Sequence, residues 1–362
     1  MQYVKGAASR QAHVKLPEGS VEEEHGREGF FGSASHLYRL HPPTGWTRIE
    51  GPLRPHAFDA VAVSDTNPNT RIPAPILENK DVAAGMLRRD ETPDFFYRNA
   101  DGDELHFIHA GSGTYETDYG ELPYERGDYI LIPRGTTYRQ RVSEPATTLV
   151  IEARDAGFGL PDRGILGRHA FIDQAMFQVP EPAPHDEEGE FELVVKRLDR
   201  LSSVFYPFHP LDVIGWKGDL CPIKFNVRDI RPITSPGYHL PPSVHVTFEA
   251  PALMISTFVP RPLESDPEAL KVPFYHRNIE YDEVIFYHEG EFFSRTGIRE
   301  GWVTWHPQGI HHGPQPGAVE RAKDKTHTNE VAVMIDTRHP LRMSPEAEKT
   351  EWSEYWASWQ TG

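Results

Sequence analysis

Prolines punctuate the chain from end to end, 33 among 362 residues. Each lacks the N–H that a helix interior needs, and its ring clashes with the preceding turn, so long helices are disfavoured almost everywhere and short strands joined by turns remain. Several segments then alternate apolar and polar residues with period two: "ELHFIHAG" (104–111), "GDYILIP" (127–133), "SVHVTFEA" (243–250), "EVIFYHEG" (283–290) and "GWVTWHP" (301–307). Short alternating runs bounded by Gly, Pro, Asp and Asn predict a mostly-β barrel or sandwich. The exception is "SPEAEKTEWSEYWASW" (344–359). Ser344 suits an N-cap, Pro345 the first helical position, and Glu346 and Glu348 the positive helix end. This predicts a C-terminal helix whose stripe of Trp352, Tyr355, Trp356 and Trp359 is buried on the chain's own barrel or on a neighbouring subunit.

Aligning the strands exposes a repeat. Glu104 is followed six residues later by Gly111, and Gly127 leads into "PRGTTY" (133–138); Glu283 stands in the same relation to Gly290, and Gly301 leads into "PQGIHH" (307–312). Both halves thus carry E-x6-G followed by G-x5-P-x-G-x2-[H or Y]. The skeleton resembles the paired motifs of the cupin superfamily, which implies two jelly-roll β-barrels, a bicupin. The expected division is an N-terminal domain over 1–230, its barrel core at about 50–155, and a C-terminal cupin domain over 231–362 that ends in the aromatic helix. The acidic, proline-rich "VPEPAPHDEEGE" (179–190) reads as a surface loop between the halves.

The net charge of -17 argues against nucleic acid or an anionic membrane surface as partner, and a small anionic substrate would need a local site that overrides the field. The N-terminus lacks a signal-peptide core and no stretch approaches a membrane span, so a soluble, cytoplasmic protein is expected. With Cys221 the sole cysteine, any metal must be held by nitrogen and oxygen. The first half has Tyr138 at the end of its second motif and no histidine just before Glu104, so that barrel is expected to be degenerate and metal-free. The second half keeps His276 ahead of Glu283 and has His312 at the end of its second motif. Two histidines and a carboxylate projecting from different strands suit a metal with open cis positions, such as non-haem Fe(II). Glu283 fits by its spacing to Gly290, whereas Glu280 and Asp282 fall in the turn and are expected to be solvated. Asp282 or His311 stays open as a replacement for one member, although His311 and His312 cannot both point inward from an extended segment. His306, just before Pro307, is expected to orient a ligand or a bound oxygen species. His109, His185, His209, His288 and His327 are read as ordinary surface or core residues.

The segments "HPLDVIGWKGD", "PIKFNVRDI", "YHLPPS", "PFYHRN" and "HPQGIHHGP", in this order over 205–315, resemble homogentisate 1,2-dioxygenase; "RNADGDE" and "YERGDYILIPRGT" extend the likeness more faintly into the first half. The resemblance implies an Fe(II) enzyme that opens the ring of 2,5-dihydroxyphenylacetate to give maleylacetoacetate in tyrosine and phenylalanine breakdown. It implies His276, Glu283 and His312 as ligands, the set that spacing selects, and His239 as a group that takes or shares the proton of a ring hydroxyl. Arg277 and Asn278, beside the first ligand, are candidates for substrate contact, Arg277 with a structural salt bridge as the alternative. Phe292 in "GEFFS" stands where the family has a tyrosine near the substrate, a change that bears on which diphenol is taken. One extra residue precedes Glu283, and the first half is shorter than the family pattern. The resemblance further implies small aromatic substrate and O2 as partners and a homo-oligomer, trimer or hexamer. A dioxygenase for gentisate or a hydroquinone, a Zn or Mn cupin isomerase, and a non-catalytic binding module are the alternatives.

Overall fold

The computed structural model describes residues 3–360 except 66, 68, 155 and 279 and the side chain of Asn278. Its strands form sheets of eleven, six and three, and its helices are short, as the proline distribution predicts. The eleven-stranded sheet is built from the first half around Asp103–Thr117 and Thr137–Ala153. The six-stranded sheet runs Val246–Ala250, Leu253–Phe258, Val331–Thr337, Asp282–Glu289, Trp302–His306, His56–Asp59.

The two larger sheets repeat one register. Glu104 is paired on its two sides with Ile132 and Glu152, and Glu283 with His306 and Asp336. Three residues on, Phe107 lies between Tyr129 and Leu149, and Phe286 between Val303 and Val333. The strand ends match as well: Gly111 and Gly290 adopt φ of +88° and +101°. A Cβ at either would come within 2.3 Å of Pro145 O or 2.2 Å of Asn329 O, so only glycine fits the spacing of the motif.

Strands are exchanged across the expected 230/231 boundary. His56–Asp59 closes the edge of the second-half sheet beside Trp302–His306, and Arg342–Met343 pairs with Ala74–Glu78 of the first. The main apolar core runs unbroken from Phe58 through Phe107 and Phe286 to Ala347. Edge strands exposed by one half are thus covered by segments of the other, which removes unpaired ladder groups from both. The third sheet is also shared: Val21–Gly26 pairs with Ala34–Arg39 and, in parallel, with Tyr275–Asn278.

The C-terminal segment departs from a single helix. Ser344 caps as expected, accepting from Ala347 N at 3.0 Å, but the helix is only Pro345–Glu348. The chain is then drawn out along His56–Asp59: Trp352 N donates to Ala57 O at 2.8 Å, and Glu351 is held by His56 at 2.7 Å and Arg54 at 3.2 Å. These bonds outweigh continuation of the helix, and a 3-10 turn, Tyr355–Trp359, delivers fully buried Tyr355 and Trp359 against the chain's own second-half sheet.

Candidate metal centre

The alternation of Asp282–Glu289 turns Glu283, Ile285 and Tyr287 to one face, and all three line a cavity. His276 enters from Tyr275–Asn278, and the neighbouring segment carries His312. The two backbones are tied reciprocally, His276 N to His312 O at 2.9 Å and His312 N to His276 O at 3.0 Å. One ligand atom from each of His276, Glu283 and His312 lies within 4.8 Å of the other two. His276 Nε2 is 3.3 Å and His312 Nε2 3.4 Å from Glu283 Oε2. Glu283 thus faces both rings.

The donor set fits a cation. His276 Nδ1 donates to Phe274 O at 3.1 Å, which leaves a lone pair at Nε2. His306 Nδ1 donates to Glu283 Oε1 at 2.9 Å, reserving Oε2 for the cluster. Both ring nitrogens of His312 are sealed from solvent without a hydrogen-bond partner among the described residues. A buried imidazole left so is costly unless something else takes its lone pair. His306 plays the orienting part expected of it: it is fully buried, stacks on His312 at 5.1 Å, and is backed by Tyr355 and Trp359. Burial pushes His306 down to about 3 even against Glu283, and burial and His276 together lower His312. Burial alone would raise Glu283, but His312, His276 and His306 hold it well below the usual carboxylate range. An ionised Glu283 beside neutral His306 and His312 is the state a metal requires.

The remaining candidates divide. His239 lines the same cavity, its Nδ1 2.9 Å from Glu264 Oε1. Arg277 faces away from it, Nε 3.6 Å from Glu23 and Nη2 3.2 Å from His25, so the salt-bridge alternative describes it. Asn278 sits on the strand, its side chain outside the described residues. Phe292 is not in the cavity wall: it packs 4.8 Å from Tyr287 in the C-terminal aromatic cluster, and its neighbour Phe293 lines the cavity. Asp282 corrects the expectation of a solvated turn carboxylate. It is 1% exposed and holds Trp305 Nε1, Gln308 N and Leu341 N, all at 2.9 Å, on the far side of the strand. Glu280 is bound by Arg27. His311 turns outward to Glu23 at 3.0 Å, as alternation requires. Two residues were missed. His245 lines the cavity with Nδ1 unpartnered, and Arg261 presents an Nη1 that is sealed and unpartnered among the described residues. His245 stands in "SVHVTFEA", where its place just before the strand gave no directional signal. Arg261, Lys271 and Arg295 face this cavity against two carboxylates, Glu283 and Glu330, a local excess of positive charge on an acidic protein.

Fold and centre together define a mostly-β protein with a buried two-histidine, one-carboxylate cluster opening on an aromatic-walled cavity. Residues 80–227 match the family model for the homogentisate 1,2-dioxygenase N-terminal region, the half in which the motifs are fainter. A Saccharolobus solfataricus protein provisionally named a dioxygenase is 34% identical over 99% of this chain and 98% of its own length. The homogentisate 1,2-dioxygenases of Nitrobacter hamburgensis and Bradyrhizobium diazoefficiens are 29% and 28% identical over 76% and 72% of this chain. The chain belongs to the homogentisate 1,2-dioxygenase family. It spans about three-fifths of the length of those named homogentisate enzymes, 64% and 61%.

Proposed function

We propose that the protein is an Fe(II)-dependent ring-cleaving dioxygenase that converts homogentisate and O2 to maleylacetoacetate, with His276, Glu283 and His312 as metal ligands. The observation that carries this reading is the convergence of these three side chains within 4.8 Å of one another, with His276 and Glu283 lining a cavity that also holds His239 and Arg261. When bound, Fe(II) supplies the electron transfer that allows dioxygen to react with an aromatic ring, and three protein ligands leave room for both reactants.

The protein's own part is positioning, proton handling and exclusion of water. His239 donates from Nδ1 to Glu264, so Nε2 is the atom that accepts the proton of a ring hydroxyl; burial lowers its pKa and keeps it neutral for that task. Phe258, Phe274 and Phe293 supply apolar walls for the ring. Arg261, with its unpartnered Nη1, is the group we assign to the side-chain carboxylate of the substrate. That assignment favours homogentisate or gentisate over a plain hydroquinone.

We further infer a bicupin in which the first barrel is metal-free, acting in the cytoplasm as a trimer or hexamer. The shared register of the two sheets supports the duplication. Among the described residues no helix is long and apolar enough to cross a membrane. Oxygen uptake with homogentisate, gentisate and hydroquinone after anaerobic Fe(II) loading tests the reading. Uptake on homogentisate with appearance of the enedione product supports it; tight iron binding with no uptake on any diphenol overturns it.

A further inference from the structure

The N-terminal strands carry a second constellation that the dioxygenase reading does not use. Along Val21–Gly26 the side chains alternate, so Glu23 turns to one face, where it meets Arg39, Arg277 and His311, while Glu22 and Glu24 share the other. On that face stands His36, the register partner of Glu24 across the hairpin. Buried His13 arrives from the preceding loop, its ring stacked on Phe274 at 4.1 Å and 16°. One ring nitrogen of His13, one of His36 and a carboxylate oxygen of Glu24 all lie within 4.8 Å of one another.

Glu22 gives the cluster its direction. It is 2% exposed, and its Oε2 accepts from His13 Nδ1 at 2.9 Å. His36 Nδ1 stands 3.3 Å from Oε1 of the same carboxylate. The bond to Glu22 leaves the lone pair of His13 on Nε2, and His36, its Nδ1 facing the same carboxylate, has Nε2 3.9 Å from Glu24 Oε2. A carboxylate behind ligand histidines is the usual companion of a bound metal, because it fixes tautomer and ring orientation. The centre described above divides its nitrogens in the same way, Nδ1 of His276 to Phe274 O and Nε2 toward Glu283. An ion-pair cluster alone does not account for one detail. His36 Nδ1 and Glu22 Oε1, both sealed from solvent, approach without hydrogen-bond alignment and are unpartnered among the described residues. A cation drawing in His36 Nε2 would turn the ring and close that bond.

We propose that His13, Glu24 and His36 form a second cation site, taking a first-row divalent ion such as Zn2+ through two imidazole nitrogens and one carboxylate oxygen, with Glu22 orienting both rings. Nitrogen and oxygen donors in this number suit such an ion with solvent completing its shell. The ion is structural. Glu24 is the register partner of His276, His13 packs on Phe274, and the Phe30 ring lies 5.2 Å from that of His276. The site would therefore tie the loop of His13 to the hairpin 21–39, which pairs with the strand that carries His276.

Metal content after equilibration with Zn2+ and dialysis tests this on the full chain. Wild type should hold two ions, His312→Ala one, Glu24→Gln one, and the double variant none, with circular dichroism confirming the fold of each. In the His312→Ala background, Zn2+ should raise the unfolding temperature in a concentration-dependent way, and the rise should vanish on adding Glu24→Gln. Because His312→Ala removes the first centre, the result is independent of the dioxygenase reading. One ion in wild type, still one in Glu24→Gln, and no Zn2+-dependent shift in His312→Ala would overturn the proposal.

Discussion

Two buried glutamates, Glu104 and Glu283, occupy the same place in the two halves and have opposite surroundings. Around Glu283 the partners are His276, His306 and His312. Around Glu104, the residue paired with position 138 is Tyr97, so Tyr97 and Tyr138 stand where His276 and His312 stand, and Ile132 stands where His306 does. Tyr138 donates to Glu104 Oε2 at 2.8 Å and Asn99 to Oε1 at 3.0 Å, while Asn99 also reaches Glu152 at 2.7 Å, itself bound by Lys196 and Arg154. Hydroxyl and amide donors hold both oxygens of the first carboxylate, with His106 Nε2 beside it at 3.5 Å; the second takes a proton donor only at Oε1, from His306, and faces imidazole nitrogens at Oε2. The comparison teaches that one register can keep a buried carboxylate for two reasons: in the first half it anchors a hydrogen-bond network, and in the second, on the proposed function, it completes a cation site.

The largest expected difference comes from the same substitution made at both positions. Glu283→Gln should lose iron from this centre and lower oxygen uptake by more than the roughly 100-fold that loss of an outer partner costs. Glu104→Gln should leave iron at this centre and turnover unchanged and lower stability by about 1–3 kcal/mol, read from urea unfolding, because its donors lose a charged acceptor. The next pair is His306→Ala, expected to weaken iron binding about 10–100-fold, against Ile132→Val, expected to cost about 1 kcal/mol of stability and nothing in metal affinity. Replacing Arg261 by Met should raise KM for homogentisate about 10–100-fold, the range for losing a charge-assisted hydrogen bond, and leave hydroquinone untouched. An equal effect on both would move the carboxylate anchor elsewhere.

The smallest effect lies where the halves meet. His109 of the first sheet and His288 of the second are 2.9 Å apart through Nδ1, and burial pushes them down to about 4 and about 3. An unfolded histidine titrates near 6.5. The unfolded chain therefore binds protons that the native pair refuses, so this contribution is complete above about pH 6.5 and is lost as pH falls toward 3. His288→Asn should flatten the fall in unfolding free energy between pH 6.5 and 4.5 by roughly 2 kcal/mol; an unchanged slope would place the acid sensitivity elsewhere.

Much of this was legible locally. Proline spacing, period-two runs and the E-x6-G skeleton are short-range signals, and they locate the strands and His276, Glu283 and His312. Alternation correctly sent His311 outward, and the same reasoning excludes Arg277, the strand neighbour of His276. It has nothing to say of Phe292, a candidate by resemblance alone, because the strand ends at Glu289 and neither face nor period is defined beyond Gly290. The C-terminal helix was misread because the competing bonds, Glu351 to His56 and Trp352 to Ala57, join residues nearly 300 positions apart. Arg261, and the meeting of His13, Glu24 and His36 beside His276, depend on how distant segments pack, which no local pattern encodes.

The most direct test of the central claim is anomalous X-ray scattering at the iron edge from crystals of the iron-loaded protein. The account predicts an iron peak between His276, Glu283 and His312 and none between Tyr97, Glu104 and Tyr138. Iron at Glu104, or its absence at Glu283 in fully loaded crystals, would contradict it.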